Sequence, residues 1–142
     1  MEGVSRGVRA EGGEAIGVLV PTLFPEAAGN AYLSQRLEEH SLLTRLDRVI
    51  GLSQPRLIIA LPGTLGTLTE ICAAWNMAIL APIGKYAPFK LILWRDPWER
   101  LLGGACEQLA LSPEQAAALV YVSSVEEALA ALAAAQSQKG LL

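Results

Sequence analysis

"LIIALPGTLGTLTEICAAW", residues 57–75, is the stretch whose reading decides the fold. It opens as an uninterrupted apolar run, passes through Pro62, Gly63 and Gly66, and closes with apolar residues at helical spacing. A continuous apolar run of this length, bounded by turn residues, is what a parallel strand covered on both faces looks like. Strand, glycine loop and helix in that order form the unit from which open α/β sheets are built, and such sheets bind ligands beyond the carboxyl ends of their strands. The stretch contains one side chain that is charged at neutral pH, Glu70, just past the loop.

The rest of the chain agrees with that reading. "AIGVLV" (15–20), "RLIIALP" (56–62), "KLILWR" (90–95) and "LVYVSS" (119–124) are four short apolar runs without strict alternation, expected to be buried parallel strands. Helical segments separate them. "DPWE" (96–99) and "SPEQ" (112–115) each offer a capping residue, a proline at the first helical position and an acid or amide at the third. Ser124 and Glu127 have the spacing of a further capping box, and the alanine-rich end is expected to run as a last helix to about Gly140. The predicted fold is α/β, a Rossmann-like parallel sheet flanked by helices, in one domain over residues 1–142.

Composition narrows the functional classes. The 142 residues are 52% apolar, which favours a packed core over disorder. A net charge of −3 with eleven scattered basic residues argues against nucleic acid as a partner. The apolar stretch from Leu57 to Gly84 is broken by Pro62, Gly63, Gly66 and Glu70, so it does not have the ~18 unbroken apolar residues of a membrane span. No secretory leader is visible at Met1, and a cytoplasmic location is expected. Cys72 and Cys106 lack metal-ligand spacing and read as reduced packing thiols, and His40, the single histidine, reads as a solvated surface residue. Neither a metal nor a cofactor is expected.

Two readings of the loop stand side by side. Glycines allow a ligand to approach the backbone, helix N-terminal amides attract anions, and Thr64, Thr67 and Thr69 add hydroxyls, so a phosphate site is one. The other is local: Thr67 and Glu70 have T-x-x-E spacing, and Glu70 could close a capping box. The spacing is neither G-x-G-x-x-G nor a Walker loop.

The segment Pro62–Glu70 resembles the P-G-G-x-G-T-x-x-E signature of the LOG ("Lonely guy") family, cytokinin-activating phosphoribohydrolases long described as lysine decarboxylases. Pro62, Gly63, Leu65, Gly66, Thr67, Leu68, Thr69 and Glu70 fit the signature, and Thr64 stands where the family usually has its second glycine. The first twenty residues are similar to a helix and strand of the family's first half, and the likeness extends to about residue 125. The family's two opening strands and glycine-rich segment have no counterpart before Met1, so the resemblance implies an N-terminally truncated, partial domain. In the order 3-2-1-4-5-6, the absent strands are expected between "AIGVLV" and "RLIIALP", leaving two unpaired edges.

The resemblance implies hydrolysis of the N-glycosidic bond of a purine or cytokinin nucleoside 5′-monophosphate. Gly63, Thr64, Leu65, Gly66 and Thr67 would hold the substrate phosphate, and Glu70 would stabilise the oxocarbenium-like ribose or orient water. The family carries an arginine on the preceding helix, and Arg45 and Arg48 bracket its position. On a helical wheel, Leu42, Leu43, Leu46, Val49 and Ile50 form an apolar face with Arg45 on its flank and Arg48 pointing away, which favours Arg45. A snorkelling arginine at a core edge is the alternative for Arg45. The helix after the loop is apolar nearly all round, with Leu68, Ile71, Cys72, Trp75, Ala78 and Ile79 on one broad face. It is therefore expected to be buried on two sides, one against the sheet and the other against either later helices of the same chain or a second copy, and the resemblance implies the latter, a homodimer. Two rivals remain: a non-catalytic carrier of a nucleotide or molybdopterin phosphate, and an inactive fragment that contributes only to oligomers.

Overall fold

The computed structural model describes residues 2–25, 29–53, 57–83 and 89–137. The chain forms two compact units, Met1–Leu52 and Ser53–Leu142.

The first unit holds helix α1 (Glu2–Ala10), strands β1 (Ile16–Leu19) and β2 (Gln35–Glu38), and helix α2 (Leu42–Ser53), whose last residue opens the second unit. β1 and β2 pair in parallel, with Ile16 opposite Gln35 and Leu19 opposite Glu38. β1 falls where its apolar run predicts, but Ile16 is exposed and Gly17 to Leu19 are half-buried, so it is not a fully buried strand. Among the described residues its one strand partner is β2, itself polar and mostly exposed. On α2 the apolar seam is shorter than the wheel suggests. Ile50 is buried and Leu46 and Val49 half-buried, while Leu42 and Leu43 in the first turn are exposed.

The second unit is a three-stranded parallel sheet, ordered β3 (Leu57–Ala60), β4 (Lys90–Trp94) and β5 (Leu119–Val122). Ile58 lies opposite Leu91, and Ile92 opposite Val120. Leu91, Ile92 and Leu93 are consecutive and all buried, the signature of a central strand covered on both faces. β3 is an edge strand of this sheet, and Ile59 is accordingly exposed. The crossovers are helix α3 (Leu65–Leu80), followed by a 3-10 turn (Ala81–Ile83), then α4 (Arg95–Gln108) and α5 (Pro113–Ala116); α6 (Val125–Ser137) follows β5. Ile71, Ala74 and Trp75 of α3, and Trp98 and Leu102 of α4, are buried with the sheet. A core of this kind is stabilised by roughly 1.5–3 kcal/mol per fully buried large side chain.

These elements are a mixed α/β architecture of parallel sheets flanked by helices, consistent with a Rossmann-like fold. Among the described residues β1 pairs with β2 and β3 with β4, and no strand joins β1 to β3. Within α4, Asp96 has extended backbone (φ −95°, ψ 126°), so the regular helix resumes at Pro97, where the D-P-W-E pattern places its start. The expected end of the last helix near Gly140 lies outside the described residues.

Candidate functional site

The loop leaves β3 at Ala60 and enters α3 at Leu65. Thr64 is the residue before the first helical turn, with extended backbone (φ −108°, ψ −169°), and its side chain makes no capping hydrogen bond. That conformation is open to any L-residue, so threonine in place of the signature's second glycine costs no backbone strain. The capping-box reading of Thr67 and Glu70 is overturned. The helix starts three residues before a box at Thr67 would place it, and the Leu68 amide already donates to the Thr64 carbonyl (3.0 Å). Thr67 therefore sits inside the first turn, and Glu70 lies in the second.

The two loop glycines do different work. A Cβ on Gly63 would stand 2.8 Å from Thr67 Cβ and closer still to its hydroxyl, so Gly63 packs flush on Thr67 and tolerates no side chain. A Cβ on Gly66 would meet only Thr64 Oγ1, at 3.9 Å. Nothing in the packing demands glycine there. What Gly66 leaves is clear space at the start of the helix, on the face that Glu70 shares one turn later (i, i+4).

An α-helix begins with amides that have no intrahelical acceptor. At α2, α5 and α6 side chains take up some of that capacity, whereas α4 has no side-chain cap at Trp94. The Ser112 hydroxyl accepts from the Gln115 amide (3.3 Å) while the Gln115 side chain accepts from the Ser112 amide (2.8 Å), closing the predicted box at α5. At α6 the Glu127 amide donates to Ser124 Oγ (3.1 Å), but the Glu127 carboxylate accepts from the Ser123 amide (2.7 Å), one residue earlier than a standard box. At α2 the Thr44 amide donates to Ser41 Oγ (3.2 Å). α3 lacks such a side-chain cap at Thr64. Of the three loop threonines, Thr69 is turned back into the helix, its hydroxyl donating to the Leu65 carbonyl (2.9 Å), so it is not a ligand donor as expected from sequence. The Leu65 side chain is 77% exposed, and only the backbone of that residue suits an anion.

Glu70 is half-buried, with Ala73 and Met77, also half-buried, on its side of α3; Ala74 belongs instead to the core seam. Within the single chain α3 is buried on one face, and the later described helices do not cover the other. Leu65, Thr69, Cys72, Asn76 and Leu80 form an exposed stripe along it, so Cys72 is an exposed thiol and not a packing one.

In the first unit the two arginines part as the wheel predicts. Arg45 is half-buried, and its Nε donates to the Val18 carbonyl of β1 (3.0 Å). Arg48 is exposed and its Nε pairs with Glu39 Oε1 (2.8 Å). The hydrogen bond from Arg48 holds the Glu39 carboxyl below the usual carboxylate range. A cavity of about 460 Å³ beside that pair is lined by Thr44, Asp47, Gly51 and Leu52 as well, and contains none of the loop residues. Arg45 thus belongs to the first unit, and Gly63, Thr64, Leu65, Gly66, Thr67 and Glu70 to the second.

Two further groups escape a reading by spacing. Arg95, after β4, donates through Nε to Ser123 Oγ (2.9 Å), pairs through Nη1 with Glu99 and donates through Nη2 to the Tyr121 carbonyl (3.3 Å). Burial, together with Cys106 and Glu99, pushes the Tyr121 phenol up to about 12, so it stays neutral. Trp98 donates its indole N–H to the Leu61 carbonyl (3.1 Å), at the mouth of the loop.

A family model described as "Possible lysine decarboxylase" matches residues 1–132. The chain belongs to this LOG-like family. The match spans β1, the loop, Glu70 and all but the last described residues of α6. No curated protein matches the chain. Membership makes the signature-like loop and Glu70 the first place to look for chemistry, and it leaves the reaction itself open.

Proposed function

We propose that the chain hydrolyses the N-glycosidic bond of a purine nucleoside 5′-monophosphate, giving free base and ribose 5-phosphate. The observation that carries this reading is the start of α3. Thr64 does not cap it, Gly66 leaves its face clear, and Glu70 follows one turn behind on that face. The amides of Leu65, Gly66 and Thr67 then supply donors and a positive helix end for a phosphate. Held there, the ribose lies toward Glu70. Its carboxylate stabilises positive charge developing at C1′ as the C1′–N bond breaks, or orients the attacking water. Water contributes hydroxyl to C1′ and its proton ends on the departing base. The exposed stripe on α3 supports a homodimer. The proposed location is the cytoplasm; among the described residues no helix is long and apolar enough to cross a membrane.

The test is Glu70→Gln, which keeps the shape and removes the charge. With AMP as substrate, base release followed by chromatography should fall by at least about a hundredfold, the scale of losing a positioned acid–base group, with the fold retained by circular dichroism. Wild-type activity in the variant removes Glu70 from the mechanism. Tight AMP binding by the wild type without base release would support a carrier instead.

A further inference from the structure

Two tryptophans of the second unit form a matched pair. Trp75 on α3 is 6% exposed and Trp98 on α4 is 2% exposed. Each donates its indole N–H to a backbone carbonyl, Trp75 to Gln115 (2.9 Å) and Trp98 to Leu61 (3.1 Å). Their acceptors differ in place. Gln115 belongs to α5, a short helix closed by its own capping box. Leu61 lies between the end of β3 and Pro62, where the loop begins.

We propose that Trp98 is a positioning residue for the anion loop, acting through the Leu61 carbonyl. The inference rests on the phosphate reading of that loop. A peptide unit is planar, so fixing the Leu61 carbonyl fixes the plane of the Leu61–Pro62 bond. The proline ring locks the next φ near −65°. Between the pinned carbonyl and Thr64 only the ψ of Pro62 and the torsions of Gly63 remain free. Gly63 is in turn held flush against Thr67. The loop is thereby fastened at its entrance by α4 and at its exit by α3, and the first-turn amides are aimed before any ligand arrives. Glycine loops lose much freedom on ordering; a fastened loop has lost it already, which favours ligand binding.

The experiment compares the full-length wild type with Trp98→Phe and Trp75→Phe, each of which keeps a buried ring and loses one indole donor. Both should lower the melting temperature by similar amounts. In the free proteins, amide order parameters of Gly63 to Gly66 should stay near ~0.85 in wild type and Trp75→Phe and drop toward ~0.6 in Trp98→Phe. With AMP, Trp98→Phe should raise KM roughly tenfold, equivalent to about 1.4 kcal/mol, with kcat changed less than about threefold; Trp75→Phe should leave KM unchanged. Equal loop order and equal KM in the two variants overturns the proposal. Should Trp98→Phe not fold, titration of the wild type with inorganic phosphate decides. The Trp98 indole signal should move with the loop amides while the Trp75 signal stays, and a Trp98 signal that behaves like that of Trp75 overturns it. A wild type that releases no base defeats the functional reading, whereas the loop order parameters still decide the role of Trp98.

Discussion

Two helices of the second unit begin in opposite ways. α5 is four residues long and closed at once, with Ser112 and Gln115 exchanging hydrogen bonds across its first turn. α3 is sixteen residues long and starts uncapped by Thr64, although a threonine stands at the capping position. A short helix gains little from its own hydrogen bonds and depends on its cap. A long helix seated on a sheet through Ile71, Ala74 and Trp75 is stabilised by packing and tolerates an open end. The difference shows where a cap carries the stability of a helix start and where packing carries it instead.

The largest expected effect separates the open end from the packing beneath it. Gly66→Ala should raise stability by roughly 0.4–1 kcal/mol, because the site accepts a methyl without strain and the unfolded chain loses freedom. It should weaken AMP binding about tenfold or more, since helical Cβ atoms tilt toward the N-terminus and the methyl would stand before the first amides. Calorimetry beside a thermal melt reads both. Loss of stability together with affinity would mean that Gly66 is a packing glycine and the open end is incidental.

Next in size is the contrast between the arginines. Arg45→Ala should lower the melting temperature more than Arg48→Ala. Arg45 is half-buried and holds the Val18 carbonyl of β1, while Arg48 is exposed and its pair with Glu39 is screened by solvent. Equal shifts in a thermal melt would show that the bond from Arg45 to β1 adds nothing to the first unit.

The smallest contrast tests the caps themselves. Ser112→Ala should cost about 1 kcal/mol in a denaturant melt, as loss of a working cap does. Thr64→Ala should cost less than ~0.5 kcal/mol, because no capping bond is lost. A Thr64→Ala cost as large as that of Ser112→Ala would show that Thr64 caps α3 in solution and competes with any anion.

Much of this was legible in the sequence, and the failures share a cause. The four apolar runs fall on β1, β3, β4 and β5, and the Ser112 box forms as its spacing says, because burial and capping are local signals. β2 was invisible: Gln35–Glu38 carries three polar residues and is a strand through its pairing with β1, a contact nineteen residues away. The true start of α3 was misplaced because T-x-x-E satisfies a capping pattern that the chain does not use; the helix had already begun at Leu65. The link from Trp98 to Leu61 joins residues 37 apart and follows no spacing rule. Local chemistry can be read along a chain, whereas hydrogen bonds that depend on the sheet bringing two segments together cannot.

The central claim is that the open start of α3 is an anion site, and a titration of backbone amide signals with AMP tests it most directly. The account predicts that the largest shifts fall on Leu65, Gly66 and Thr67, with Gly63 following, while the capped starts at Gln115 and Glu127 stay still. Saturating AMP that leaves those three amides unmoved, or that moves the signals of Glu39, Asp47 and Arg48 around the cavity of the first unit instead, would contradict it.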